Sequence, residues 1–311
     1  MTHDPVVEIE YDHEIEGWAD TRRKIRQSKM VVAGVSILAV FAVLTFIHPV
    51  LQATIWSSKQ GVYRPETGHD PAISHPSGPT LDHLLGTDSL GRDVLSLMTF
   101  GLRPTFLVAV ATAISAGVIG LVVGTSSAYF RGKYDRVMTQ VADAFVLLPP
   151  PLIFLIASKR GLLGPLALGL LYGLFFGFGP AAIVVRSRAL SVMEKPFIDA
   201  ARSVGGSPSW IITHHVVPHV IPHVAVVVLA GVVGALVTQG FVEFLGIAEY
   251  RFGLGNLVYN ALTYRTALGT SVPWSALMAG ALSISLLASS FYMISSGLRE
   301  VTDPRRGSRR I

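Results

Sequence analysis

Three groups of polar side chains in this sequence have types and spacings that chemistry could use. The first is His214, His215, His219 and His223, where three of the imidazoles recur at every fourth position. Neutral imidazole is a common metal ligand, so one helix face could present the set of a membrane metalloenzyme. Pro218 and Pro222 interrupt the helix that would align those rings, and no H-E-x-x-H is present. The histidines therefore read as interfacial polar groups, and no metal is assigned to them. The second group is Asp143, Gln239 and Glu243, each inside an otherwise apolar run. Ionisable groups in such runs usually face protein or water and are functional by default. Gln239 and Glu243 share a helix face, being four residues apart. A translocation path is one use for the three residues. Proton coupling through Asp143 and Glu243 is another, and would make the chain a proton- or ion-coupled secondary transporter. Simple solvation near an interface is the plainer alternative, and all three remain open. The third group is the run GTDSLGRDVLS over residues 86–96, with Gly86, Thr87, Asp88, Gly91, Arg92 and Asp93. Thr87 or Asp88 can cap a helix, and Asp88 with Arg92 has the spacing of an ion pair one turn apart.

Other chemistry is excluded. No G-x-x-x-x-G-K-[ST] occurs, so the chain has no P-loop of its own to cradle nucleotide phosphates. There is no cysteine, which removes disulfides, Cys-ligated zinc and redox motifs. The sequence is expected to perform no covalent chemistry.

The elements that carry these residues are membrane spans. Half of the 311 residues are hydrophobic and only 14% are charged, with mean hydropathy +0.52. A soluble domain carries about 25% charged residues. About 20 apolar residues cross the hydrocarbon core. Charge-free runs place six spans at residues 30–51, 104–130, 137–157, 162–185, 220–242 and 273–298. The third contains Asp143 and the run Pro149-Pro150-Pro151, so it should be bent or broken there. Gly117, Gly120 and Gly124 in the second span, and Gly231 and Gly234 in the fifth, have the spacing of close helix packing in lipid. Residues 1–29 read as a flexible polar tail, acidic and then basic, without the charge order of a signal peptide. With both ends on one side, that side holds 17 of the 25 Lys and Arg. The positive-inside rule makes it the cytoplasm, with Lys159 and Arg160 as a local exception.

Between the fourth and fifth spans lies a polar stretch over residues 194–218. Residues 197–204 read as a short helix, ended by Gly205 and Gly206, because glycine tolerates the left-handed conformation there. Ser207 and Pro208 then start a second helix as cap and first helical residue. Ala200 and Ala201 supply small side chains where another protein could approach closely.

Asp199-Ala200-Ala201, then Gly205, then His215-Val216-Val217-Pro218 resembles the EAA loop of ABC importer permeases, with Asp199 for the usual Glu, His215 for Ile and Val217 for Leu. LGTDSLGRDVLS resembles the segment before the second span in the C-type subunit of dipeptide, oligopeptide and nickel importers. Asp143 with Pro149 is similar to that family's third span, where the acid of the fifth span falls four residues earlier than Glu243, at Gln239. Phe244-Leu245-Gly246 resembles its FLG, and Pro273-Trp274, Gly297-Leu298-Arg299-Glu300 and Asp303-Pro304-Arg305 its last span and C-terminus. The resemblance covers residues 30–305.

It implies an all-α integral membrane protein of the type I ABC importer permease fold, with six transmembrane helices and a cytoplasmic coupling helix. The implied units are a cytoplasmic tail (1–29), the first helix with its external loop (30–103), the permease core (104–298) with the coupling loop 194–218, and a basic cytoplasmic tail (299–311). Asp199, Ala200, Ala201, Gly205 and Pro218 would couple to the ATPase. The implied partners are a second permease subunit, two ABC ATPase subunits, an extracytoplasmic solute-binding protein and membrane lipid, with no nucleic acid. ATP and Mg would be bound by the ATPase subunits, and no cofactor by this chain. The setting would be a prokaryotic inner membrane with both termini cytoplasmic. Peptides, nickel complexes and oligosaccharides remain open as solutes.

Overall fold

The computed structural model describes residues 18–159, 164–247 and 253–302. Among them five helices are long and apolar enough to cross a membrane: Lys29–Ala53, Val94–Phe130, Pro165–Met193, Pro208–Phe244 and Trp274–Thr302. A bent pair, Gly132–Leu147 and Pro150–Lys159, completes the six expected spans. It turns by 70° at the proline run, because a proline ring clashes with the preceding turn and offers no N–H. The only extended pairing among the described residues is an isolated bridge between Thr87 and Asp93.

The second span packs along the fourth, and the fifth lies between the second and the sixth. The first span flanks the sixth. Glycines allow these approaches. A Cβ on Gly120 would lie 2.7 Å from Ala181 Cβ, and one on Gly124 2.7 Å from Val185 Cβ. Gly231 admits the Phe176 ring and Gly234 the Tyr172 hydroxyl, whereas Gly117 makes only ordinary contact with Val228. The apolar residues left on the outer faces, such as Phe46, Val43 and Ile114, suit a lipid surround.

Several boundaries differ from the sequence reading. The second span begins at Val94, ten residues before Pro104, because Asp93 caps it and accepts from Ser96 N at 2.7 Å. Arg103 therefore lies within a helix rather than in the loop before it, with its guanidinium over the Phe100 ring. Pro218 and Pro222 do not break the fifth span. A π-helical turn at Ile212–Val216 precedes Pro218, and its wider turn makes room for the ring. Trp18–Gln27 is helical rather than flexible, being free of Gly and Pro and rich in helix formers. Leu254–Leu268 is an additional helix outside the spans, ended by Gly269 in the left-handed region. Residues 1–17, 160–163, 248–252 and 303–311, on which parts of the expected tails and flanks fall, lie outside the described residues.

Candidate functional site

The stretch between the fourth and fifth spans folds as a helix, a turn and a helix. Pro196–Ser203 begins with proline at its first position. Its end is a closed left-handed cap. Gly205 has φ +83°, its N–H donates to Arg202 O, and Gly206 N–H donates to Ala201 O, both at 3.0 Å. Ser207 accepts from Trp210 N and starts the next helix with Pro208. Ile198, Ala201 and Ile211 are buried together with Ala128, Val185, Val192, Val216 and Val220. One face of the short helix is thus seated on the ends of the second, fourth and fifth spans.

That seating corrects one expectation. Ala201 is only 7% exposed and faces this chain's own core, so it is not a surface for a partner. The helix needs a small residue there to lie close under the spans. Asp199 and Ala200 do face outward, and Asp199 pairs with Arg202. The outward edge also carries Val204, 83% exposed, and the half-exposed Trp210. Sequence reasoning missed both. Apolar side chains placed at a turn within a polar stretch were the available signal. Pro218 lies within the fifth span and is exposed.

The motif over residues 86–96 is a built turn and not the capped helix expected at Thr87 or Asp88. Gly86 and Gly91 take φ +73° and +81°, and a Cβ on Gly91 would fall 2.3 Å from His69 Nδ1. Asp88 accepts from the N–H groups of Leu90 and Arg92 at 2.9 Å and pairs with the Arg92 guanidinium at 2.6 Å. Thr87 is fully buried and bonds to Ser77 N and His75 Nδ1. His83 lies between Asp93 Oδ2, at 2.8 Å, and Asp70 Oδ2, at 3.2 Å. Burial pushes the Asp93 carboxyl above the ordinary carboxylate range, against the opposing pull of its bonds from His83 and Ser96 N. Asp70 moves the other way, held down by the Ala72 N–H and by His83. Ser89 bonds to Thr270, which ties the turn to the approach of the sixth span.

The polar residues of the spans separate into two cases. Glu243 is 1% exposed and Gln239 equally enclosed. Gln239 Nε2 donates to Glu243 Oε1 at 2.7 Å, and Gly255 N donates to Oε2 at 2.8 Å. Glu243 is therefore neither solvated nor open to a path. It ties the fifth span to the start of Leu254–Leu268, where Gly253 and Gly255 leave room for the carboxylate. Asp143, by contrast, is exposed on one side and lines a cavity of about 80 Å³ with Ser127, Thr139 and Arg186. Arg186 is engaged by Asp135 across that cavity's wall. Among the described residues no group of three His, Cys, Asp or Glu converges as a metal site. His219 instead stacks on Phe197, His215 lies tilted against the same ring, and His214 stacks on Trp210.

Comparison with known proteins places this geometry. Residues 116–307 match the family described as binding-protein-dependent transport system inner membrane component. The chain is 30% identical over 239 residues to the oligopeptide transport system permease protein of Mycobacterium tuberculosis (strain ATCC 25618 / H37Rv), covering 74% of this chain and 80% of the relative. It is 25% identical over 299 residues to a dipeptide transport system permease protein of Alkalihalophilus pseudofirmus, covering 94% and 91%. It is 24% identical over 297 residues to the oligopeptide transport system permease protein of Bacillus subtilis (strain 168), covering 93% and 90%. With six apolar spans, an ordered loop before the second and a seated helix-turn-helix before the fifth, the chain belongs to the binding-protein-dependent transport inner membrane components, the membrane permeases of ABC importers.

Proposed function

We propose that this permease moves peptides inward, driven by ATP that separate subunits hydrolyse. The observation that carries the reading is the helix-turn-helix over residues 196–211. It is seated on three spans by one face and offers Asp199, Ala200, Val204 and Trp210 on the other. An element so placed can receive motion from a docked protein and pass it to the spans. Two ATPase subunits, binding ATP and Mg, would dock at that edge, and a second, different permease subunit would complete the path. An extracytoplasmic solute-binding protein would deliver the solute near the residue 86–96 turn. The Lys and Arg distribution supports a cytoplasmic location for both termini and for residues 194–218. The names of the relatives support peptides as the solute class.

The assembled complex, reconstituted in vesicles with its solute-binding protein, should take up labelled dipeptides or oligopeptides only when ATP is supplied. Uptake by the purified chain alone, or uptake dissipated by a protonophore in the presence of ATP, would sink the reading in favour of a proton-coupled carrier.

A further inference from the structure

A π-helical turn at Ile212–Val216 lies in the first turns of the fifth span, and the fourth span is kinked at Gly177–Ala181, where Gly179 has non-helical φ and ψ. A phenylalanine from a neighbouring helix is packed on each. Phe145 of the bent third span lies on Phe178, centroids 5.4 Å apart and nearly parallel, and edge-on to Phe175. Phe197 of the Pro196–Ser203 helix lies on His219, at 5.4 Å and 23°, and against His215, at 6.1 Å. His215 meets the edge of Trp210 at 4.7 Å, and Trp210 stacks on His214. His219 Nδ1 is bonded to His215 O at 2.8 Å. The rings form a continuous pile from the short helix to the first turns of the fifth span.

Three routes could carry a displacement of the short helix into that span, the first being the buried seat of Ile198 and Ala201 on Val216 and Val220. The backbone route runs through Gly205 and Gly206, exposed or half-exposed, and then through a π turn, which lacks the regular helical ladder. Both are soft to bending. The third is the ring pile beside that seat, exposed or half-exposed, in which rings in contact pass a push without a change of dihedral angle. We propose that Phe197 is a positioning residue that, at the margin of the buried seat, holds the Pro196–Ser203 helix and the fifth span to move as one body. The proposal rests on the reading of this helix as the ATPase contact. It adds a side chain by which motion leaves the helix.

The chain has no native cysteine, so spin labels can be placed at Ser203 and Val237, both exposed. Their distance distribution would be measured in the assembled complex, without nucleotide and trapped with ATP and vanadate. The wild type should give one narrow distribution in both states. Phe197→Leu and His219→Leu, which remove the stack from opposite sides, should lose that single narrow distribution on trapping while the ATPase subunits stay bound. Phe197→Tyr and His219→Phe, which keep two stacked rings, should restore it. Leucine variants as narrow as wild type would overturn the proposal. So would aromatic variants that fail to restore the narrow form, or loss of the ATPase subunits from the leucine variants, which would make Phe197 a docking residue. A wild-type preparation that binds no ATPase would overturn the ATPase reading separately.

Discussion

Single residues here are read by what they face. Asp88 and Arg92 are paired in a turn from which water is excluded. Removing one partner of a buried pair leaves an uncompensated charge, at a cost of about 3–5 kcal/mol, whereas removing both costs less. Asp88→Ala also strips two backbone N–H groups of their acceptor. Asp88→Ala alone should therefore open the external loop to protease more than the double variant with Arg92→Ala, and equal cleavage would show that the pair contributes nothing. Asp93 gives a pH test. Its folded carboxyl holds a proton more tightly than an unfolded aspartate does. Its contribution to loop stability is thus fully present below the ordinary aspartate pKa and is lost as pH rises through the raised value. Asp93→Asn cannot titrate and still caps the helix. Loop protection in wild type should fall relative to Asp93→Asn across that window, and the opposite slope would show that pairing with His83 outweighs burial. The sequence made Asp88 and Arg92 legible as a pair because the spacing alone allows it. It did not make Ala201 legible, since two adjacent small residues carry no sign of which one points inward.

At the scale of elements, charge-free runs located every span, because length and charge are written directly in composition. The break in the third span was legible for the same reason, as three consecutive prolines cannot continue a helix. The start of the second span was not, because Arg103 reads as a loop residue until the cap at Asp93 is seen. The role of Glu243 was also hidden. Its partner Gly255 N lies beyond the span, on a helix with no strong apolar pattern. Glu243→Ala would leave Gln239 Nε2 and Gly255 N without that acceptor in a buried site, at about 1–3 kcal/mol for each group. Thermal unfolding in detergent should shift down, with Glu243→Gln less affected because its amide oxygen still accepts. An unchanged transition in Glu243→Ala would return the residue to the list of path candidates. The short helix gives a paired test. Ala201→Trp should destabilise the permease itself by overfilling its core, at about 1–3 kcal/mol or more. Ala200→Trp should leave the fold intact and weaken ATPase association. Gly205→Val, strained by about 1–2 kcal/mol at its positive φ, should reduce both. If Ala200→Trp unfolds the chain while Ala201→Trp does not, the two faces have been assigned the wrong way round.

For the whole molecule, the decisive property is which end of the bundle meets which compartment. The ordered turn over residues 86–96 and the seated helix over 196–203 belong to opposite ends of an importer, and transport has a direction only if that holds. Charge favours that arrangement across the whole chain, since 17 of the 25 Lys and Arg fall on the side of residues 194–218. Geometry supplies good reporters. Leu81 is 99% exposed in the loop between the first and second spans, whereas Ser77 is held by Thr87 and would report less cleanly. Ser209 is exposed on the other loop, one residue from Trp210. With no cysteine in the native sequence, each single substitution gives its own signal without background. In intact cells stripped of any outer barrier, an impermeant maleimide should label Leu81→Cys at once and Ser209→Cys only after lysis. In the assembled complex Ser209→Cys should then be shielded by the ATPase subunits and freed when they are removed. Labelling of Ser209→Cys from outside in intact cells would invert the molecule, leave the ATPase without access to its proposed contact, and refute the importer mechanism derived from it.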